Sequence, residues 1–306
     1  MRIRTALASG LSGALLAALT LVSAPAQATT TTLLGGWSKS WSWYDANVGP
    51  VQIYRGYDTG WHFARWQDTD SYKAHPTAAA NDYSFDLPPA DVAAGTDDGI
   101  LRTFIASTPK NIILTNYHEP EQEIEAGMFT AAIFRDSITH LAGLVKAQNL
   151  ADGGTRRVSV VLMISTFTGF KARNPVTYWP TDATTGANTA DLISADAYAL
   201  PHNTGTPCCP IGYTDGISWK SATTLLSPAL KFAQAHRTAW GISEFAYLED
   251  INNPMHKAQA ITDVVNYAKA NGAVMCEYWD SVGGRADWQL RYNSAPLPST
   301  SNTSNA

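Results

Sequence analysis

Eight short apolar runs, many rich in β-branched residues and spaced along the whole chain, constrain the fold more than any other feature of this sequence. They are LLGGWS from Leu33, VQIYRG from Val51, YSFDL from Tyr83, NIILTN from Asn111, VSVVLMIS from Val158, LISADAYA from Leu192, AWGISEFA from Ala239 and AVMCEYW from Ala273. Such runs suit strands buried on both faces, which occur in parallel sheets covered by helices. Eight is the number that closes a (β/α)8 barrel. The expected fold class is α/β: one (β/α)8 TIM barrel with irregular loops.

Helical patterns fall between several of these runs. Phe129, Ile133, Leu141 and Val145 lie at helical spacing, so a helix is expected from Phe129 to Val145. A second, from Met255 to Ala270, carries Ala258, Ile261, Val264, Val265 and Ala268 as its stripe and stops at Asn271–Gly272. A third runs from Ser218 to Ala235, with Pro228 expected to break it in two. The twelve residues between the first two strands hold only a short helix. The stretch TFTGFKARNPVTYWPTDATTG from Thr166 reads as a long loop, and little chain remains after the eighth strand for a closing helix.

The ends bound the context. Arg2 and Arg4, the apolar LLAALTLVSA and the small-residue pattern at Ala26–Ala28 read as an export signal over residues 1–28. That run is too short for a membrane span and no other stretch qualifies, so a secreted, extracellular and monomeric protein is expected, with no membrane partner. The barrel is assigned to 29–293 and a disordered Pro/Ser/Thr/Asn-rich tail to 294–306. Without the signal, 19 basic residues face 26 acidic ones, and no basic cluster invites nucleic acid. Of three cysteines, Cys276 is expected as a buried thiol, and adjacent Cys208 and Cys209 either as a vicinal bridge or as two free thiols.

The most chemically loaded stretch is NIILTNYHEPEQEIE, from Asn111 to Glu125. A zincin helix needs His at i and i+4, but Gln122 stands four places after His118, and Pro120 argues against a helix through His118 and Glu119. No metal site is expected. Glu121, Glu123 and Glu125 read as an acidic first turn at a helix N-terminus. Glu119 differs, because it follows the fourth strand directly, at the face where barrels of this kind build their active sites. Glu244, at the end of the seventh strand, stands across the mouth from it.

Such a pair is what glycoside hydrolysis requires: one carboxyl protonates the leaving oxygen and the other, ionised, attacks the anomeric carbon. Tyr198 closes the sixth strand and Trp279 the eighth. Aromatic rings stack on sugar C–H faces, and a phenol hydrogen-bonds a carboxylate. Trp37, Trp41, Trp43, Trp61, Trp66 and Trp179 are further candidates for sugar subsites or for core. Asp196, Glu277 and Asp280 are additional acids near strand ends.

At these residues the chain resembles clan A glycoside hydrolases, and family 26 in particular. The resemblance rests on His118–Glu119 after strand four, Ser243–Glu244–Phe245 on strand seven, Tyr198 and Trp279. It implies a retaining (β/α)8 enzyme with Glu119 as acid/base and Glu244 as nucleophile. His118 would orient or tune a carboxyl, Tyr198 would bond the nucleophile, and Trp279 would floor the −1 sugar. It implies no cofactor and a β-linked polysaccharide or oligosaccharide of the mannan, glucan or xylan class, cleaved internally. Pro120, Glu121 and Gln122 depart from the family's Met-Asn-Gly, Ile124 replaces its aromatic, and Phe85–Asp86 stands for its strand-three Trp-His. The resemblance thus carries the two glutamates and not the mannan subsite. The competing expectations are a barrel that grips glycan without cleaving it, to which both glutamates would be unnecessary, and a structural wall protein, which would show repeats.

Overall fold

The computed structural model describes residues 31–290 apart from 39–40, 50, 59–64, 70–71, 74–77, 109–110, 155–157, 167–168, 171–173, 202–217, 251, 254 and 284–285. The expected signal, tail and Cys208–Cys209 pair lie outside the described residues, as does Trp61. Eight parallel strands close into a barrel in sequence order: β1 (Leu33–Ser38), β2 (Ile53–Asp58), β3 (Ala80–Phe85), β4 (Asn111–Asn116), β5 (Val158–Ser165), β6 (Leu192–Ala199), β7 (Ala239–Tyr247) and β8 (Met275–Asp280). Each coincides with one of the eight apolar runs or overlaps it.

The helices outside the barrel are α1 (Trp41–Asn47), α2 (Pro89–Ala94), α3 (Asp98–Ala106), α4 (Glu121–Glu125), α5 (Ala131–Ala151), α6 (Ala222–His236) and α7 (Met255–Ala270). The expected start of α5 shifts by two residues, and the cause is local. Thr130 is the N-cap, its side chain accepting the Ile133 N–H, and Phe129 lies outside the helix against Phe134 at 6.2 Å between ring centres. That is a hydrophobic staple, with Phe129 one place before the cap and Phe134 four places after it. Phe134, Ile138, Leu141, Leu144 and Val145 then form the buried face. Each is worth about 1.5–3 kcal/mol of transfer free energy.

Pro228 does not break α6. The carbonyl that loses its partner belongs to Thr224, which is exposed, while Leu225, Leu226, Ala229, Phe232 and Ala233 pack inward on both sides of the proline. Water can serve that carbonyl, and burial outweighs the lost bond. Of the stripe expected for α7, Val264 and Ala268 are buried and Ile261 and Val265 pack against the core, while Ala258 is exposed and Lys257 and Ala260 are buried in addition. Gly272 ends the helix at φ +68°, the left-handed conformation a glycine takes freely. After β8 the described chain forms a two-residue hairpin, β9 (Val282–Gly283) with β10 (Ala286–Asp287), and no helix. The Trp288 carbonyl accepts from Tyr278 and the Leu290 N–H donates to Asp280, each at 2.7 Å, which fastens this segment under the barrel rim.

Inside the barrel the alternation of the strands builds layers. The lowest is apolar: Ile53, Ala80, Val161, Met163, Leu192 and Met275 pack together. Above it the lining turns polar and charged, with Arg55, Asp82, Ser194 and Glu277 all at or below 1% exposure. Cys276, on the outer face of β8, is the buried thiol expected.

Candidate active site

The charged layer leads upward to the mouth at the C-terminal ends of the strands. Glu119 is presented by a strained corner. Tyr117 and Glu119 have φ of 57° and 50°, a left-handed conformation that non-glycine residues adopt at a cost. Two backbone bonds hold the corner: Tyr117 N–H to the Phe85 carbonyl at 2.8 Å and Glu119 N–H to the Met163 carbonyl at 3.2 Å. Glu121 adds a third tie from the acidic first turn expected here. It is fully buried, and its Oε1 accepts the Ser165 N–H at 2.9 Å, fixing α4 to the end of β5. Glu123 is half-buried in the same turn, and Glu125 is exposed at the end of α4.

Glu244 is aimed by a different device. In the β6–β7 register Ala195 pairs with Ile242 and Asp196 with Glu244, so Ser243 is an extra residue. This bulge turns the following side chain, a recurrent feature beside active sites. Glu244 is 6% exposed. Its Oε2 accepts from the Tyr198 hydroxyl and its Oε1 from the Tyr57 hydroxyl. Arg55 Nη2 lies 3.5 Å from Oε1. Every one of these contacts stabilises an anion.

Arg55 is the cation of the site and sequence reading did not single it out. Its Nη2 donates to Ser84 Oγ at 2.6 Å and reaches Met163 Sδ at 3.1 Å, and its Nη1 stands 3.7 Å from Asp82. Its guanidinium lies 4.1 Å from the centre of the Tyr57 ring. Burial works against its charge, but Tyr57, Asp82, Glu244 and Asp196 outweigh that and hold it more firmly protonated than usual. Five carboxyls surround this one guanidinium: Asp82, Glu119, Asp196, Glu244 and Glu277. They cannot all ionise. Burial first, then the Glu244 charge, pushes Glu119 well above the usual carboxylate range. Asp196 is raised by burial, then Glu244 and Glu119, and neither of its oxygens has a hydrogen-bond partner among the described residues. Glu277 is raised by burial and then by Asp82, deep under the mouth and one alternation below Trp279. The mouth therefore treats its two facing glutamates oppositely: Glu244 is solvated by donors, and Glu119 is driven toward its acid form.

His118 lies in the same cluster. Its ring meets Tyr57 edge-on at 5.1 Å, and its pKa is lowered to about 4 by burial and by Arg55, with Glu244 opposing. It is a neutral imidazole at ordinary pH. Asp86, raised to about 6 by burial and Glu123, lines a cleft of about 240 Å3 with Tyr117, His118, Glu119, Gln122 and Glu123. Trp279 stacks on Trp37 at 4.3 Å and 13°, and Tyr57 meets Trp279 edge-on at 5.3 Å. The structure thus brings together all five expected residues, His118, Glu119, Tyr198, Glu244 and Trp279, with Trp37 from among the candidate tryptophans, and adds Arg55 and Tyr57. Two other tryptophans belong to the core: Trp66 is wholly buried against Tyr83 and Phe104, and Trp179 packs on Phe232 with its Nε1–H bonded to Asn188. Asp280 is structural, accepting from Ser38 and Leu290. Among the described residues no group of three or more His, Cys, Asp or Glu side chains is arranged to hold a metal ion.

No family model matches the chain, and no curated protein does. Solved structures do match. A double mutant of the endo-β-1,4-mannanase of Cellulomonas fimi is 14% identical over 87% of this chain and 68% of its own, at a TM-score of 0.51. GH26C of a Muricauda species is 10% identical over 88% and 83%, at 0.50. A GH5-4 broad-specificity endoglucanase of Clostridium longisporum is 13% identical over 79% and 75%, at 0.51. In fold, the chain resembles clan A glycoside hydrolases. At such identities the likeness is one of architecture, and what the residues do rests on their chemistry.

Proposed function

We propose that this protein is a secreted, retaining glycoside hydrolase that cleaves β-linked polysaccharide internally, with Glu119 as general acid/base and Glu244 as nucleophile. The observation that carries the reading is the opposite treatment of the two glutamates at one barrel mouth. Glu244 receives two phenols and a guanidinium, and burial beside it favours the protonated form of Glu119. The mannanase and endoglucanase names of the structural neighbours support the substrate class.

In the first step Glu119 donates its proton to the glycosidic oxygen while a Glu244 oxygen attacks the anomeric carbon. The C–O bond breaks, the leaving sugar departs as an alcohol, and a glycosyl ester remains on Glu244. In the second step Glu119, now ionised, takes a proton from water, whose oxygen displaces Glu244. Two inversions retain the configuration. Trp279, backed by Trp37, offers its free face to the sugar ring.

The test incubates protein from residue 29 onward, beside Glu244→Ala, with mannans, xylans, mixed-linkage glucans and β-1,3-glucans. Reducing ends released by the wild type and absent with the variant support the assignment and name the sugar, and early NMR of the products reads the anomeric configuration. Glycan binding by both proteins with no release from any polymer would instead favour a barrel that only grips its ligand.

A further inference from the structure

The rim of the barrel carries an aromatic that the mechanism above does not use. Trp219 is 41% exposed, whereas Trp66, Trp179, Trp240 and Trp288 are buried. A tryptophan left this exposed forgoes the burial that usually holds such a side chain inside a fold. Its position is set by the backbone. Trp219 forms a parallel bridge with Leu200, the residue after β6, and the Leu200 N–H donates to the Ser218 carbonyl at 3.3 Å. Two residues further on, Ser221 caps α6 by accepting the Thr224 N–H at 3.2 Å. The segment from Ser218 to Ser221 is thus tied to the barrel at one end and to a helix at the other.

Strand geometry aims the ring. Along β6, Asp196 and Tyr198 face the interior beside Glu244, while Ala195, Ala197 and Ala199 turn outward under the helices. Leu200 continues the inward set, and residues paired in register project to the same face. Trp219 therefore stands on the mouth side of the rim. The edge of β6 on which it lies is also fixed. The Asp196 carbonyl accepts from Thr166, which follows β5, whereas the Ala199 carbonyl accepts from Leu248, which follows β7. Leu200 shares the parity of Asp196, so Ser218 and Trp219 lie on the β5 edge of β6. That place is above the end of β5, whose other neighbour is β4.

This part of the rim lies away from the Trp37–Trp279 stack on β1 and β8. In the mechanism above, the sugar to be esterified rests on Trp279, and Glu119, just past β4, protonates the oxygen of the sugar that leaves. A glycan laid through both points leaves the mouth on the β4–β6 side. We propose that Trp219 is a sugar-binding platform on this leaving-group side, stacking against a pyranose of the polysaccharide beyond the bond that is cut. A pyranose offers an apolar C–H face to such a ring, and a platform on backbone already tied down loses little freedom on binding. Sugars after the cut are what internal cleavage provides. The inference deepens the retaining-hydrolase reading and rests on it for the direction of the glycan.

The experiment has two arms. In the first, Glu244→Ala and the Glu244→Ala, Trp219→Ala double variant are compared for binding to mannans, xylans and glucans by affinity electrophoresis, with thermal melting to check folding. Loss of Trp219 is expected to weaken binding by roughly 5-fold or more. In the second, kcat/KM of the mature protein and of Trp219→Ala is measured on the cleaved polymer and on an aryl β-glycoside, whose leaving group ends at one ring. The loss on the polymer is expected to exceed the loss on the aryl glycoside by roughly 5-fold, and Trp219→Phe, which keeps an aromatic face, is expected to recover most of it. Equal binding with and without Trp219, or no binding to any polymer, overturns the proposal. Equal losses on polymer and aryl glycoside overturn the leaving-group placement. Weakened binding in a protein whose wild type cleaves nothing would keep Trp219 as a glycan platform and remove the hydrolase reading, and the leaving-group placement with it.

Discussion

Replacing Arg55 by methionine probes the whole charged layer at once. Methionine keeps most of the buried volume and removes the charge. In the wild type the guanidinium stands 3.5 Å from Glu244 and 3.7 Å from Asp82. At an effective dielectric of about 20, each contact is worth roughly 4–5 kcal/mol of Coulomb attraction. Relief of the arginine's own desolvation offsets much of that, and the net cost of breaking a buried ion pair from one side is about 3–5 kcal/mol. For a domain of this size that lowers Tm by roughly 6–20 °C near neutral pH. The loss must depend on pH, and its sign is fixed. Asp82 is already raised by burial, with Arg55 as the main influence lowering it, so without Arg55 it rises further. A carboxyl whose folded pKa exceeds its unfolded one loses stability as pH climbs through the folded value. The variant should therefore lie nearest the wild type around pH 4 and fall away toward pH 8. Melting curves across that range read the gap directly. A gap that stays constant would show that Arg55 acts through packing and not through charge, and the account of the layer would be wrong.

Three further outcomes are expected. Glu244→Gln removes the second-largest influence raising Glu119, so the Glu119 titration seen by carbon NMR should move down yet stay above the usual range because burial remains; an unchanged midpoint would deny that the two carboxyls communicate. Glu121→Ala strands the Ser165 N–H and should cost about 1–3 kcal/mol in denaturant unfolding, with kcat falling more than KM rises, since only the acid/base corner loosens. Trp37→Ala takes the backing from Trp279 and should weaken polysaccharide binding by roughly 2- to 10-fold in calorimetry, with little change in Tm.

The barrel was legible because strands buried on both faces leave uninterrupted apolar runs, and eight such runs admit few closures. Glu119 and Glu244 stood out in the sequence as carboxyls at the C-terminal ends of two apolar runs, although β7 continues to Tyr247, three residues beyond Glu244. Arg55 and Tyr57 were missed, although the signal was present: they sit at i and i+2 in VQIYRGYD, an arginine and a tyrosine on the same face as Ile53. The burial of Glu121 was not legible, because its acceptor role for Ser165 depends on how the fourth and fifth loops meet, which no local pattern encodes. The bulge at Ser243 is likewise set by the pairing of β6 with β7. The tryptophans could not be sorted by composition: Trp66 fills core and Trp37 backs the mouth, and only packing separates them.

The left-handed backbone at Glu119 sets stability against chemistry at a single position. A residue with a Cβ gives up about 1–2 kcal/mol to sit there, and glycine or asparagine would recover part of it. Substitution by glycine or asparagine at this site is thus downhill for the backbone and, under the proposed mechanism, ruinous for turnover. A lineage released from the need to cut glycan should shed this glutamate early and gain thermal stability in doing so.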